Sequence, residues 1–319
     1  MGTARALKIM CKQAWGAWLT LAKLTVPAML AVRLLTVLDL VSVISRPFEP
    51  LMSLMRLPPE MALAWATAFL TTNYAGIAVY LSLLPVVGPL TVAQATVAGS
   101  LMLIAHSLPV ECGVCRGAGA SPLRTAALRL SAAALYGVLV GQLAAALGLG
   151  QGRAEFFVPF SFDPNPGWPT WLLSAIESLA GMLALVFLLL LMMALMRKVG
   201  LLKLFSRLLA PVMRLSGVGP KAMPIAVIGM VVGLAYGGGL IIAETRSGAV
   251  PKADVYGAIT LMCLCHSLVE DTILVAAFGG SLWGLLIGRL AFATLLTAAL
   301  VRAARRPAWR AVLVGRKYA

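Results

Sequence analysis

Charge is scarce in this chain. Of 319 residues, 26 are Lys or Arg and 11 are Asp or Glu, so charged side chains make up 12% against 61% hydrophobic, and mean hydropathy is +0.95. A soluble domain of this length needs far more charge to cover its surface. Charge is missing altogether over residues 61–105, a run of 45, enough for two membrane crossings at ~20 residues each. Residues 130–150, 178–196 and 222–243 are further uncharged runs. The alternating strands of ~10 residues that build a membrane β-barrel are absent. The expected fold class is therefore an all-α polytopic membrane protein. No small-residue cleavage site follows a short apolar core, so no removable signal peptide is expected. Of the five cysteines, four fall in or beside expected spans, which argues against an extracellular disulfide framework. There is neither a phosphate-binding loop nor a G-x-S-x-G elbow, so no catalytic residue is named and an enzyme is not expected.

The charge that is present is basic, a net +15, and it sits at the ends of apolar segments. Arg5, Lys8 and Lys12 share one face at helical spacing, and Lys203, Arg207 and Arg214 do much the same after the span that ends near Met196. Arg302, Arg305, Arg306, Arg310, Arg316 and Lys317 form a basic tail. Positive-inside topology and amphipathic helices on an anionic leaflet account for all three groups. The partner they imply is the lipid bilayer and not nucleic acid. The setting expected is the cytoplasmic (inner) membrane, multi-pass, with both termini cytoplasmic.

Histidine is scarcer still, and its placement is the most informative feature. The two histidines lie 160 residues apart inside one phrase: LMLIAHSLPVE over residues 101–111 and LMCLCHSLVED over residues 261–271. Other landmarks keep the register. Pro50 and Pro211 are 161 apart, as are Pro59 and Pro220; Tyr74 and Tyr236 are 162 apart; Arg129 and Arg289 are 160 apart. The chain reads as an internal duplication. The aromatic segment between the halves carries Arg153 against Glu155 and Asp163, which places it outside. The loop after the first phrase is basic (Arg116, Arg124) and its counterpart near residues 276–282 is uncharged. Each half then crosses the membrane an odd number of times, and the repeats are inverted, a common build for transporters with a midplane site.

Along the chain this gives a helix near 3–22 and a span near 25–45, a proline-containing connector over 49–59, an apolar segment over 61–83 interrupted at 71–76, and a turn at 85–89. A helix over 91–108 ends in the first phrase, a loop holds Arg116 and Arg124, and a span covers 126–149. The second half repeats the series: a span over 172–196, a basic amphipathic piece over 199–215, a broken segment over 222–243, the second phrase closing 255–268, and a last span over 281–301. Broken apolar segments read as re-entrant hairpins or discontinuous helices, which survive at membrane depth only where protein or a water-filled cavity satisfies the backbone.

Ionisable groups inside a membrane mark pathways or binding sites by default. The first candidates are His106, Ser107, Glu111, His266, Ser267, Glu270 and Asp271. His266 and Glu270 at i, i+4 would share one helix face, with Ser267 and Asp271 on the next stripe. Pro109 would end or kink the helix between His106 and Glu111. The bland alternative is a polar contact between packed spans. The second candidates are the gates: Tyr236, Gly237, Gly238 and Gly239, where three glycines would unwind a helix, with Glu244 beyond them, and Asn73, Tyr74 and Gly76 as their first-half partners. Close helix packing on glycine is the alternative. Arg129 and Arg289 are candidate ion-pair residues, and Glu111, Glu270 or Asp271 would partner Arg289. Cys112, Cys115, Cys263 and Cys265 offer soft metal ligands, but the two pairs flank their histidines on opposite sides and do not match as repeats.

The runs MVVGLAYGGGLIIAE (230–244) and LMCLCHSLVEDTI (261–273), with AHSLPVE as the paired first-half copy, resemble the Gate family, also called nucleoside-recognition domain proteins. The resemblance covers about residues 50–300. That family supplies the membrane parts of concentrative nucleoside transporters, of Feo-type ferrous iron permeases and of spore-maturation membrane proteins. The resemblance implies a permease core with paired gates. The domains expected are an amphipathic N-terminal helix (1–23), a first Gate-like repeat (24–155), an extracytoplasmic aromatic connector (156–171), a second Gate-like repeat (172–302) and a basic cytoplasmic tail (303–319). The expected function is a permease for a small polar solute or cation, with no certain cofactor and a divalent metal ion as one substrate. A nucleoside is the second substrate class. A non-transporting scaffold or subunit, acting as a homo-oligomer or with a partner membrane subunit, is the rival class.

Overall fold

A computed structural model describes residues 3–157, 167–233, 239, 242–243 and 250–306. The protein is an all-α polytopic membrane protein. Its helices are α1 (Thr3–Val37), α2 (Val41–Ser45), α3 (Glu49–Leu54), α4 (Met61–Leu70), α5 (Asn73–Val87), α6 (Val92–Ile104), α7 (Leu108–Gly117), α8 (Pro122–Leu147), α9 (Trp168–Lys198), α10 (Leu201–Leu215), α11 (Met223–Val232), α12 (Lys252–Cys265), α13 (Glu270–Ala276) and α14 (Arg289–Ala304). A π-helical turn, Trp283–Gly288, leads into α14. No strand occurs among the described residues; one isolated bridge, Thr91 to Arg153, ties the start of α6 to the loop after α8.

Among the described residues, six helical stretches are long and apolar enough to cross a membrane. They fall into two kinds. Val92–Gly117 and Asp254–Ala276 are 72% and 78% buried inside the protein, while the other four are 22–39% buried. The two central stretches are the ones that carry the His phrases, and both are broken there. The outer helices turn leucines outward, among them Leu135, Leu139 and Leu143 on α8 and Leu172, Leu173 and Ile176 on α9. In water such a surface would be an aggregation site; against lipid it is the expected face.

Local chemistry sets where the helices start and stop. Thr91 and Gln94 make a reciprocal capping box at the start of α6. Thr72 accepts from Ala75 N at the start of α5. After α8, Gly150 passes so close to the Ala93 backbone, at φ +62°, that a side chain has no room. The helices α4 and α5, joined through residues 71 and 72, fold back on each other. A Cβ at Gly76 would stand 2.6 Å from Ala68 Cβ and 3.1 Å from Ala64 O, so glycine sets this approach.

Some helix boundaries show spacings like those of the sequence landmarks. The ends of α4 and α11 are 162 apart, the starts of α6 and α12 are 160 apart, and α1 and α9 end 161 apart. The helices α1 and α9 also pack on each other, and Trp18 Nε1 donates to Leu179 O, exactly 161 residues on, at 2.8 Å.

Several expectations are corrected. The N-terminal helix and first span are one unbroken helix to Val37, with Pro27 inside it; proline removes a single i−4 hydrogen bond, and α5 and α9 pack along this helix. The connector 49–59 holds α3. Pro85 lies inside α5, which turns only at Gly88, φ +79°. Arg116 ends α7 and Arg124 opens α8, so neither is in a loop. Helix α9 begins at Trp168, inside the segment read as connector. In the second half the break starts earlier than the glycine run, at Gly233, φ +104°. Tyr236, Gly237, Gly238 and Glu244 lie outside the described residues, and Gly239 is helical and exposed. The amphipathic piece is as read: α10 buries Leu209 and Met213 and exposes Arg207 and Arg214 beside Leu204 and Leu208.

Candidate functional site

The two His phrases break their helices in the same way. Ser107 and Ser267 are non-glycine residues held in the left-handed region, at φ 47° and φ 46°. That conformation costs an L-residue roughly 1–2 kcal/mol, and it recurs at both copies. Each break is held by backbone from a neighbouring short helix. Ser107 N donates to Ala68 O of α4 (3.0 Å), and Leu268 N donates to Met230 O of α11 (2.7 Å). Ser107 Oγ adds a bond to Thr71 O at 2.7 Å. The helix then restarts from the serine carbonyl, which accepts from Glu111 N in one copy and Asp271 N in the other. Pro109 is in the first turn of α7, where its missing N–H costs nothing; the break precedes it.

This break also removes the basis for placing His266 and Glu270 on one helix face. His266 caps α12 and Glu270 opens α13. The carboxylate delivered to the centre is Asp271, which stands 160 residues after Glu111 as His266 stands 160 after His106. Glu270 is half-buried at the start of α13, and Ser267 is half-buried against Gly233.

The two imidazoles meet. His106 Nε2 and His266 Nε2 are 3.1 Å apart, with ring centroids 4.8 Å apart. Each Nδ1 faces a carbonyl left free by the helix end: Met102 O at 2.9 Å and Met262 O at 3.0 Å. A carbonyl only accepts, so each Nδ1 carries the hydrogen and each neutral ring turns an Nε2 lone pair inward. Glu111 Oε1 lies 2.9 Å from His266 Nε2 and 3.3 Å from His106 Nε2. Asp271 Oδ2 lies 3.4 Å from His106 Nε2 and accepts from Asn73 Nδ2 at 3.2 Å. Four acceptor atoms thus converge in a buried space and favour a positive charge among them.

The spacing suits a metal ion as well as a proton. Two donors ~2.1 Å from a tetrahedral ion stand ~3.4 Å apart, close to the separations here. One nitrogen each of His106 and His266 and a carboxylate oxygen of Asp271 all fall within 4.8 Å of one another. Imidazole with carboxylate is an intermediate-to-hard ligand set.

Around this centre, Arg129 is fully buried; it donates to Ile104 O at 2.8 Å and forms a close ion pair with Glu111. Arg289, also fully buried, donates from Nη2 to Thr272 Oγ1 at 3.0 Å. Its expected carboxylate partner is replaced by the residue next to Asp271. Cys115 of α7 and Cys263 of α12 approach to 3.3 Å between sulfurs. The two expected cysteine pairs are therefore linked across the halves by one member of each, though not as matched positions. Cys112 and Cys265 are buried. Of the residues expected to form the first gate, Asn73 is buried in the cluster, Gly76 packs in the α4–α5 hairpin, and Tyr74 lines an apolar groove with Met29, Ile77, Leu179 and Met182.

The carbonyls of Met102, Met262, Ala68 and Met230 are parts of the site that side-chain reasoning missed, because backbone groups leave no mark in sequence. Thr272 was missed too, although its register with Cys112 next to Glu111 was available.

The chain is similar, at 28% identity over 303 residues, to the uncharacterized membrane protein YvoD of Bacillus subtilis (strain 168), covering 93% of this chain and 94% of that protein. No protein-family model and no solved structure matches.

Proposed function

We propose that the protein is a permease of the cytoplasmic membrane that passes a small polar solute or cation through the paired-histidine centre. The observation that carries this is the contact between His106 and His266 at 3.1 Å. Positions 160 apart in a duplicated chain meet each other only on the axis that relates the copies, and here that point coincides with two helix breaks and two carboxylates. The Trp18–Leu179 contact marks the same axis at a second place. In this reading the halves are inverted-topology repeats of the Gate type, both termini are cytoplasmic, α4–α5 is the first gate, and the segment around Tyr236 is the second. A divalent cation is the favoured substrate, because two imidazole nitrogens and two carboxylate oxygens converge and only one of the four, Asp271 Oδ2, already accepts from a donor, Asn73 Nδ2. Asn73 and the carboxylates would also suit hydroxyls, which keeps a nucleoside as the second class.

The test is thermal unfolding of purified protein in detergent with ferrous, manganous and zinc ions and with nucleosides, on wild type and on His106→Ala/His266→Ala. A ligand at 100 times its Kd adds about 2.7 kcal/mol. Stabilisation by one class that disappears in the double variant is expected. A folded double variant that keeps the same shift would remove the histidines from the site. No shift with any ligand would favour a scaffold or subunit role.

A further inference from the structure

The two buried arginines occupy matched positions, yet the structure treats them differently. Arg129 has a carbonyl and a carboxylate, Ile104 O and Glu111, and only its Nη2 is buried without a partner among the described residues. Arg289 has one hydroxyl, Thr272 Oγ1, with the weakly accepting Cys265 thiol beside it. Its Nε and Nη1 are buried with no oxygen or nitrogen partner among the described residues. A buried guanidinium without a counter-charge is strongly unfavourable, so an arrangement that supplies one would be favoured.

The matched positions supply it. Asp271 stands 160 after Glu111, but in this structure it is turned to His106 and held by Asn73. Arg289 bonds the residue immediately after Asp271, so it is one residue out of the register that Arg129 keeps with Glu111. The helix directly before Arg289 differs from its counterpart as well. Residues 283–288 form a π turn, whereas the matched stretch of α8 is ordinary α-helix. A π turn holds one residue more than an α turn, and one residue is about 100° of rotation around a helix. The turn is wedged by the other half: Tyr136 Oη donates to Gly284 O at 2.6 Å and occupies the place where a Cβ of Gly288 would stand.

We infer that the protein exchanges its buried arginine–carboxylate pair between the halves: Arg129–Glu111 is formed in this state, and Arg289–Asp271 forms in the opposite state as the π turn closes. Each pair fixes the short helix after one His phrase, α7 or α13, so exchanging the pair releases one of these helices as it fixes the other. Asn73 biases the balance toward the present state, since it holds Asp271 and the residue 162 further on in the sequence, Ala235, has no side-chain amide. This goes beyond the transport reading and supplies its two states, but it concerns conformation alone and needs no substrate.

The test uses full-length protein in right-side-out and inside-out vesicles, on a background with the native cysteines replaced by serine. Ser107→Cys or Ser267→Cys is labelled with a membrane-impermeant maleimide. In the parent, both faces label. In Arg289→Met the second state has lost its pair, so labelling from one face falls at least tenfold; in Asn73→Ala labelling from that same face rises. Melting temperature provides an independent sign. Arg289→Met keeps or raises it, because an uncompensated charge is removed, whereas Arg129→Met lowers it by stranding Glu111. The inference is overturned if Arg289→Met labels from both faces at the parent rate, if the parent labels from one face only, or if both arginine variants melt equally early. Two-faced labelling with no ligand-induced thermal shift would keep the exchange and sink the transport reading alone.

Discussion

At the scale of single residues, the centre is built by commitments that leave its inner atoms bare. Each histidine gives its Nδ1 hydrogen to the carbonyl four residues back, Met102 or Met262, and this sets which nitrogen faces inward. The left-handed serines make that possible, because ending the helix at the histidine frees the carbonyl. Ser107→Ala removes the bond to Thr71 O and is expected to lower unfolding free energy by about 1 kcal/mol. Ser107→Gly loses the same bond but relieves a left-handed L-residue worth about 1 kcal/mol, so chemical denaturation should find it nearly neutral. A glycine variant as unstable as the alanine variant would mean that the serine is not strained. The histidines, Glu111 and Asp271 were all legible as candidates from the two phrases. The preference for Asp271 over Glu270 was hidden by assuming an unbroken helix, although the spacing of five between His106 and Glu111 already pointed to the same spacing after His266.

At the scale of elements, the breaks rest on short helices lending backbone. Helix α4 holds one break through Ala68 and Thr71, and α11 holds the other through Met230. The hairpin that positions α4 depends on Gly76, whose missing Cβ lets α5 lie against Ala64 and Ala68. Gly76→Val should force these helices apart, at a cost of about 1–3 kcal/mol, and should lower the melting temperature together with any ligand shift from the centre. Val at the exposed Gly113, with open space around it, is the matched control and should do neither. Long apolar helices were readable from hydropathy alone. Their junctions were less so: α3 and the continuation of α1 through Pro27 depend on packing against α5, α8 and α9, which overrides the local signals of proline and charge. The π turn before α14 was not legible either, and its contact with Tyr136, 148 residues away from Gly284, is a tertiary one.

At the scale of the molecule, burial separates two broken central stretches from four lipid-facing ones, and the two histidines stand face to face. The recurrence of prolines, tyrosines, histidines and arginines at 160–162 residues was legible in the sequence. Their meeting was not, because a sequence period carries no information on where an axis passes. The account places the working centre at that meeting point. The most direct measurement is uptake into proteoliposomes of divalent cations and, separately, of a nucleoside, comparing wild type with His266→Ala at equal reconstitution and after a check of the folded state. The account predicts uptake of one class by wild type above protein-free vesicles, and a loss of at least tenfold in His266→Ala. Uptake at the wild-type rate by the folded variant, or none above protein-free vesicles by wild type, would contradict it.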